Sequence, residues 1–170
     1  SRPCPSAAVA ARMGAGRGGA PLTGAGMSDL HVLVTGGAGY IGTHTLVAML
    51  AAGQRPLVLD DFSNGSREAV ARVERLCGVA IPLIEADIRT PGLVESVLAD
   101  AAARGDPVQA VLHLAGCKAV GESVADPLKY YDNNVAGSLA LLRAMRDTGV
   151  ARLVFSSSAT VYGEPQYLPF

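Results

Sequence analysis

Thr35-Gly36-Gly37-Ala38-Gly39-Tyr40-Ile41-Gly42 sets three glycines at steps of three, between an apolar run and a stretch of helical character. Gly36 permits a tight turn, Gly39 a close approach of backbone to a pyrophosphate, and Gly42 close packing of helix on strand. The N-terminus of the helix that follows favours negative charge. Asp60 ends the next apolar run, 18 residues after Gly42. A carboxylate there accepts both hydroxyls of an adenosine ribose. A 2′-phosphate in the same place would meet Asp60 and Asp61, with no neighbouring arginine until Arg67. The pattern therefore predicts NAD, and disfavours NADP.

Such residues need a scaffold. Short, nearly continuous apolar runs occur at 30–34, 57–59, 79–84, 108–114 and 153–155, the signature of parallel strands covered on both faces. Between them, 41–52, 66–77, 91–104 and 127–148 are long enough for helices, each a right-handed crossover. Thr90-Pro91 and Asp126-Pro127 each put a capping side chain before a proline suited to a first turn. In the last helix Leu128, Tyr131, Val135, Leu139, Leu142 and Met145 recur at steps of three and four, predicting one apolar stripe. The fold class is α/β, a doubly wound parallel sheet of the Rossmann type, with strand order 3-2-1-4-5. Pro82 cannot donate to a ladder, so the third strand belongs at an edge. After the fifth strand no further helix is reached, and the pattern reads as truncated there.

Residues 1–27 hold seven Ala, six Gly, three Pro, three Arg and no acid, and are expected to be a disordered or non-native leader, with Met27 as the natural start. The remainder, 28–170, is read as one incomplete NAD-binding domain. The whole chain carries 14 basic and 15 acidic residues, so neither sign dominates to attract nucleic acid or a charged membrane surface. No apolar stretch has the length of a transmembrane helix. Cys4, Cys77 and Cys117 lie too far apart for a zinc ligand set, and no metal is expected. Cys77 and Cys117 read as small apolar fillers in a reducing, cytoplasmic compartment.

Beyond the glycines, Asp87-Ile88, His113-Leu114-Ala115-Gly116, Asn133-Asn134 and Phe155-Ser156-Ser157-Ser158 resemble the extended short-chain dehydrogenase/reductase family. The segments 115–123 and 158–163 narrow the resemblance to the UDP-glucose 4-epimerases within it. The resemblance implies that Gly36, Gly39, Tyr40, Ile41 and Gly42 hold the pyrophosphate of NAD, Asp60 and Asn64 the adenosine end, and Asp87 and Ile88 the adenine. Leu114, Ala115, Gly116 and Lys118 would line the nicotinamide side, with Asn133 and Ser156 nearby. Ser158 would hydrogen-bond the 4-hydroxyl of the sugar, with Thr160 sharing that contact. It also implies a homodimer and interconversion of UDP-galactose and UDP-glucose through a 4-keto sugar, a step of galactose metabolism.

One departure stands out. The family's base is a tyrosine in Tyr-x-x-x-Lys, where the lysine's charge lowers the phenol pKa. Only Lys118 and Lys129 exist here, and neither follows a tyrosine by four. The chain is therefore expected to be the N-terminal NAD-binding part of such an enzyme, inactive alone, without the substrate-binding C-terminal domain. Two other readings remain. A nucleotide-sugar dehydratase or decarboxylase usually carries an acid just before Val-Tyr-Gly, where this chain has Ala159 and Thr160. A non-catalytic NAD-binding module draws support only from the missing base.

Overall fold

The structure is a computed structural model, which describes residues 29–158, 161 and 163. The expectations for residues 1–27 and for Thr160 lie outside the described residues. Five parallel strands, β1 (His31–Thr35), β2 (Arg55–Asp60), β3 (Leu83–Glu85), β4 (Ala110–His113) and β5 (Leu153–Phe155), form one sheet in the order β3-β2-β1-β4-β5. Leu33 of the central strand stands beside Leu57 on one side and Val111 on the other. The order is the one expected of a doubly wound sheet, and β3 is an edge as Pro82 requires.

The connecting helices are α1 (Tyr40–Ala51), α2 (Arg67–Cys77), α3 (Leu93–Ala103), α4 (Val120–Ala125), α5 (Pro127–Tyr130) and α6 (Gly137–Thr148), with a π-helical segment at Tyr131–Ala136 between the last two. Each face of the sheet has its own core. Val32, Val34 and Val58 pack against Leu46 and Met49 of α1 and Val70 and Val73 of α2. Leu33, Leu57, Leu59 and Val111 pack against Val94, Val97 and Leu98 of α3 and Leu141, Ala144 and Met145 of α6. Alternate residues of β1 and β2 serve opposite cores, so both strands are apolar almost throughout. No helix among the described residues is long and apolar enough to cross a membrane.

Local signals explain several boundaries. Ser66 caps α2 by accepting the Ala69 N–H at 3.3 Å, and Gly78 ends it with φ +70°. Asp126 caps α5 by accepting from Lys129 N–H at 3.2 Å, with Pro127 in the first turn as expected.

Other expectations need correction. The third strand does not begin at Val79. Glu74 of α2 accepts the Ile81 N–H at 2.7 Å and the Pro82 carbonyl accepts from Val58 N–H at 2.8 Å, so this approach is tied down before pairing starts. Thr90 does not cap α3, because its carbonyl accepts the Leu93 N–H in a turn and the helix starts after Gly92. The short helix α4 was not anticipated, since Val120–Ala125 is too brief for a periodicity to show.

The expected helix over 127–148 is interrupted by the π-helical segment, which rotates its two ends relative to each other. Consequently the stripe does not form the core face: Leu128, Tyr131, Val135, Leu139 and Leu142 are 46% to 77% exposed, and only Met145 is buried. The true core face of α6 is Gly137, Leu141, Ala144 and Met145. Nor is every strand covered on both sides, for β5, at the sheet edge, leaves Val154 and Phe155 more than half exposed.

Candidate functional site

The carboxyl ends of β1, β2 and β4 open onto a crevice of about 650 Å³. Its first wall is the turn from β1 into α1. Gly36 there has φ +70°, and a Cβ would sit 2.7 Å from the backbone of Leu114 and Ala115, so any side chain would push the loop after β4 away. A Cβ on Gly42 would lie 2.6 Å from the backbone of Gly36 and Gly37. The helix is thereby seated directly on the turn. At Gly39, by contrast, the only near neighbour of such a Cβ among the described residues is the Gly36 carbonyl at 3.4 Å. Gly39 is the N-cap of α1, with no side-chain cap and no acid in the first turn. The free N–H groups of this twelve-residue helix therefore present a site suited to an anion.

Asp60 at the end of β2 is 7% exposed. One carboxylate oxygen accepts from the Ala38 N–H and the other from the Phe62 N–H, both at 2.9 Å. This carboxylate thus braces the glycine turn from beneath as well as facing the crevice, a role the spacing alone does not reveal. Asp61 accepts from the backbone N–H and hydroxyl of Ser63 at 2.9 and 2.6 Å, shaping the loop that carries Asn64.

Asp87 and Ile88 follow β3. The Asp87 carboxylate accepts from the Arg89 side chain and backbone N–H, and the guanidinium holds its pKa below the usual carboxylate range. Arg89 is shared with Asp132 of the π-helical segment. The Ile88 side chain is buried against Gly137 of α6, and Ile88 also lines the crevice.

The opposite wall is the loop after β4. Here the backbone is held by side chains: Cys117 N–H donates to Asn134 Oδ1 at 2.8 Å, and Asn134 Nδ2 donates to the Cys117 carbonyl at 2.9 Å. Asn133 Nδ2 donates to Asn134 Oδ1 at 2.9 Å and to the Ala115 carbonyl at 3.3 Å. Beneath this loop His113 is 4% exposed, and burial lowers its pKa. Burial likewise raises the Cys117 thiol pKa, keeping it protonated. Lys118 is exposed at the rim.

All the crevice residues expected from sequence are brought together: Gly36, Gly39, Tyr40, Ile41, Gly42, Asp60, Asn64, Asp87, Ile88, Leu114, Ala115, Gly116, Lys118, Asn133 and Ser156 line it, and Ser158 stands with Ser156 and Ser157 at its β5 side. Sequence reasoning left out His113, Cys117, Asn134 and Ser138, which also line it. The sequence signals that point to His113 are its place as a lone polar residue in the apolar run of β4 and its place in the motif His113-Leu114-Ala115-Gly116.

The sequence pattern of the NAD dependent epimerase/dehydratase family matches residues 32–170. A UDP-glucose 4-epimerase of Yersinia pestis is 49% identical over 141 residues, covering 83% of this chain and 40% of that protein. One of Klebsiella pneumoniae is 50% identical over 141 residues, covering 83% of this chain and 98% of that sequence. The crystal structure of UDP-glucose 4-epimerase from Bifidobacterium longum in complex with NAD+ and UDP superimposes with a TM-score of 0.77 at 45% identity, covering 82% of this chain and 40% of that one. The chain thus spans about 40% of the length of the Yersinia and Bifidobacterium proteins.

Proposed function

Because the chain belongs to the NAD dependent epimerase/dehydratase family, we propose that it is the NAD-binding portion of a UDP-glucose 4-epimerase, acting on UDP-galactose and UDP-glucose. The observation that carries this reading is the crevice itself, where an uncapped helix N-terminus, a glycine turn closed to side chains and a buried carboxylate meet at the carboxyl ends of the strands. That is where this fold class binds dinucleotides.

The Gly39 N–H donates to the Gly36 carbonyl at 3.3 Å, so the N–H groups of Tyr40 and Ile41 hold the pyrophosphate, while Gly36, Gly39 and Gly42 give it close approach. Asp60 and Asn64 take the adenosine ribose, and Asp87 and the Ile88 backbone the adenine. Leu114, Ala115, Gly116, Lys118, Asn133 and Ser156 shape the nicotinamide side. NAD, when bound, supplies reversible hydride acceptance from a sugar carbon. Ser158 orients the sugar 4-hydroxyl from the end of β5, and Thr160 shares that contact. The 46% to 77% exposed stripe from Leu128 to Leu142 supports a homodimer. The protonated thiol of Cys117 supports a reducing, cytoplasmic location, and the substrate a place in galactose metabolism.

Calorimetric titration tests the reading. NAD binds more tightly than NADP, since Asp60 and Asp61 repel a 2′-phosphate, and Asp60→Ala narrows the gap. Equal affinity of the unaltered chain for both cofactors overturns the reading. The chain holds no Tyr-x-x-x-Lys, and losing a general base costs ~10² to 10⁴ in rate. A coupled assay with UDP-galactose therefore shows no turnover comparable to that of full-length relatives.

A further inference from the structure

The two walls of the crevice are joined by a chain of buried and half-buried polar groups that the proposed cofactor contacts do not use. Thr35 Oγ1 lies 2.6 Å from His113 Nδ1, and His113 Nε2 lies 3.1 Å from Ser138 Oγ. Ser138 Oγ is in turn 2.6 Å from the Asn134 backbone carbonyl. A carbonyl only accepts, so the single Ser138 proton is committed to it. The contact with His113 must then be donated by the ring, which places the proton on Nε2. Nδ1 of the neutral ring is left bare and accepts the Thr35 proton. Every donor and acceptor in this sequence has one role, and the direction runs from Thr35 through His113 and Ser138 to Asn134.

At its far end stands the amide clamp on Cys117. Asn134 matches both the donor and the acceptor of that peptide. Gly36, the residue after Thr35, presses on the same loop from the other side, at Leu114 and Ala115. The loop is therefore fixed between a steric stop and a two-point hydrogen bond. The π-helical turn is what supplies two consecutive amides, Asn133 and Asn134, to a single loop.

The geometry points to Asn134 as a positioning residue, which sets the nicotinamide-side loop 115–117 for the cofactor through its paired hydrogen bonds to Cys117 and is itself oriented by the Thr35–His113–Ser138 chain. The inference rests on the NAD reading above. Asn134 need not touch the cofactor. Its side chain acts through the backbone it holds.

The test compares the parent chain with Asn134→Asp and Asn134→Ala, reading NAD affinity by calorimetry and backbone amide hydrogen exchange without cofactor. Asn134→Asp is nearly isosteric, yet it replaces the donor to the Cys117 carbonyl by a second acceptor. Both variants bind NAD about tenfold more weakly at pH 8, the consequence of a lost buried partner. In Asn134→Ala, which removes the acceptor, the Cys117 amide exchanges at least about tenfold faster, while the Val58 amide, bonded to the Pro82 carbonyl inside the sheet, keeps its rate. Unchanged Cys117 exchange in Asn134→Ala, or faster exchange with unchanged NAD affinity, overturns the inference and leaves the NAD reading standing. A parent chain that does not take up NAD overturns both.

Discussion

The two walls of the crevice are built on different principles. The wall after β1 is held by sterics and by backbone: glycines that exclude a Cβ, an uncapped helix end, and one carboxylate accepting two main-chain N–H groups. The wall after β4 is held by side chains arriving from another element, with two asparagines and a histidine–serine relay fixing a loop that has no regular structure of its own. The first kind of wall tolerates almost no substitution, because a Cβ has no way to yield to backbone. The second tolerates any change that keeps the hydrogen-bond roles. Rigidity in the first comes from what is absent, and in the second from what is matched.

The largest expected effect breaks the first wall. Gly36→Ala adds a Cβ 2.7 Å from the Leu114 and Ala115 backbone at a residue with φ +70°. Overpacking and backbone strain together cost ~2 to 5 kcal/mol. NAD binding is expected to fall at least a hundredfold, with a lowered urea midpoint; an unchanged midpoint shows that the two walls are less tightly apposed.

Asp60→Asn sharpens the contrast next. An amide keeps one acceptor but turns an N–H toward the Ala38 or Phe62 N–H, leaving a buried donor unmatched at a cost of ~1 to 3 kcal/mol. If Asp60 chiefly braces the turn, NAD and ADP-ribose lose affinity alike. A loss confined to ligands with a free ribose 2′-hydroxyl, tested against 2′-deoxy analogues, assigns it to the ribose alone.

A smaller effect probes the relay. His113 has its folded pKa depressed by burial, below the ordinary 6.5 that it keeps when unfolded. The unfolded chain therefore binds the proton first, and the stability owed to a neutral His113 is intact above pH 6.5 and lost as pH falls from there toward the folded pKa. Urea midpoints measured from pH 7.5 down to 5 should decline for the parent, and decline less for His113→Gln. Parallel curves remove His113 from the account.

The smallest effect concerns the exposed stripe. Leu142→Arg on α6 is expected to change stability by less than ~0.5 kcal/mol, since the residue is 46% exposed. Sedimentation over a concentration series should nevertheless show weaker self-association than the parent, and identical profiles would exclude this face from any contact between copies.

How much was legible in advance follows the same division. Gly36, Gly39 and Gly42 and the distance to Asp60 are local requirements, carried by residue type and spacing, so the turn, the helix after it and the strand order could be read directly. Pro82 announced the edge strand for the same reason: a missing N–H is a property of one residue. The stripe from Leu128 to Met145 misled, because periodicity assumes one continuous helix and a π-helical turn resets its phase. Asn133 and Asn134 were visible as a motif, but which peptide they hold depends on that turn and on a loop 17 residues earlier. His113 was visible as part of the His113-Leu114-Ala115-Gly116 motif, but without a role. Its proton's position follows from Thr35 and Ser138, 78 residues before and 25 after, which only the folded sheet brings to its two ring nitrogens. The sequence by itself determined what short-range sterics and backbone chemistry demand. The tertiary structure alone decided which distant donors meet which acceptors, because a hydrogen bond is specified by where both partners end up and not by either one.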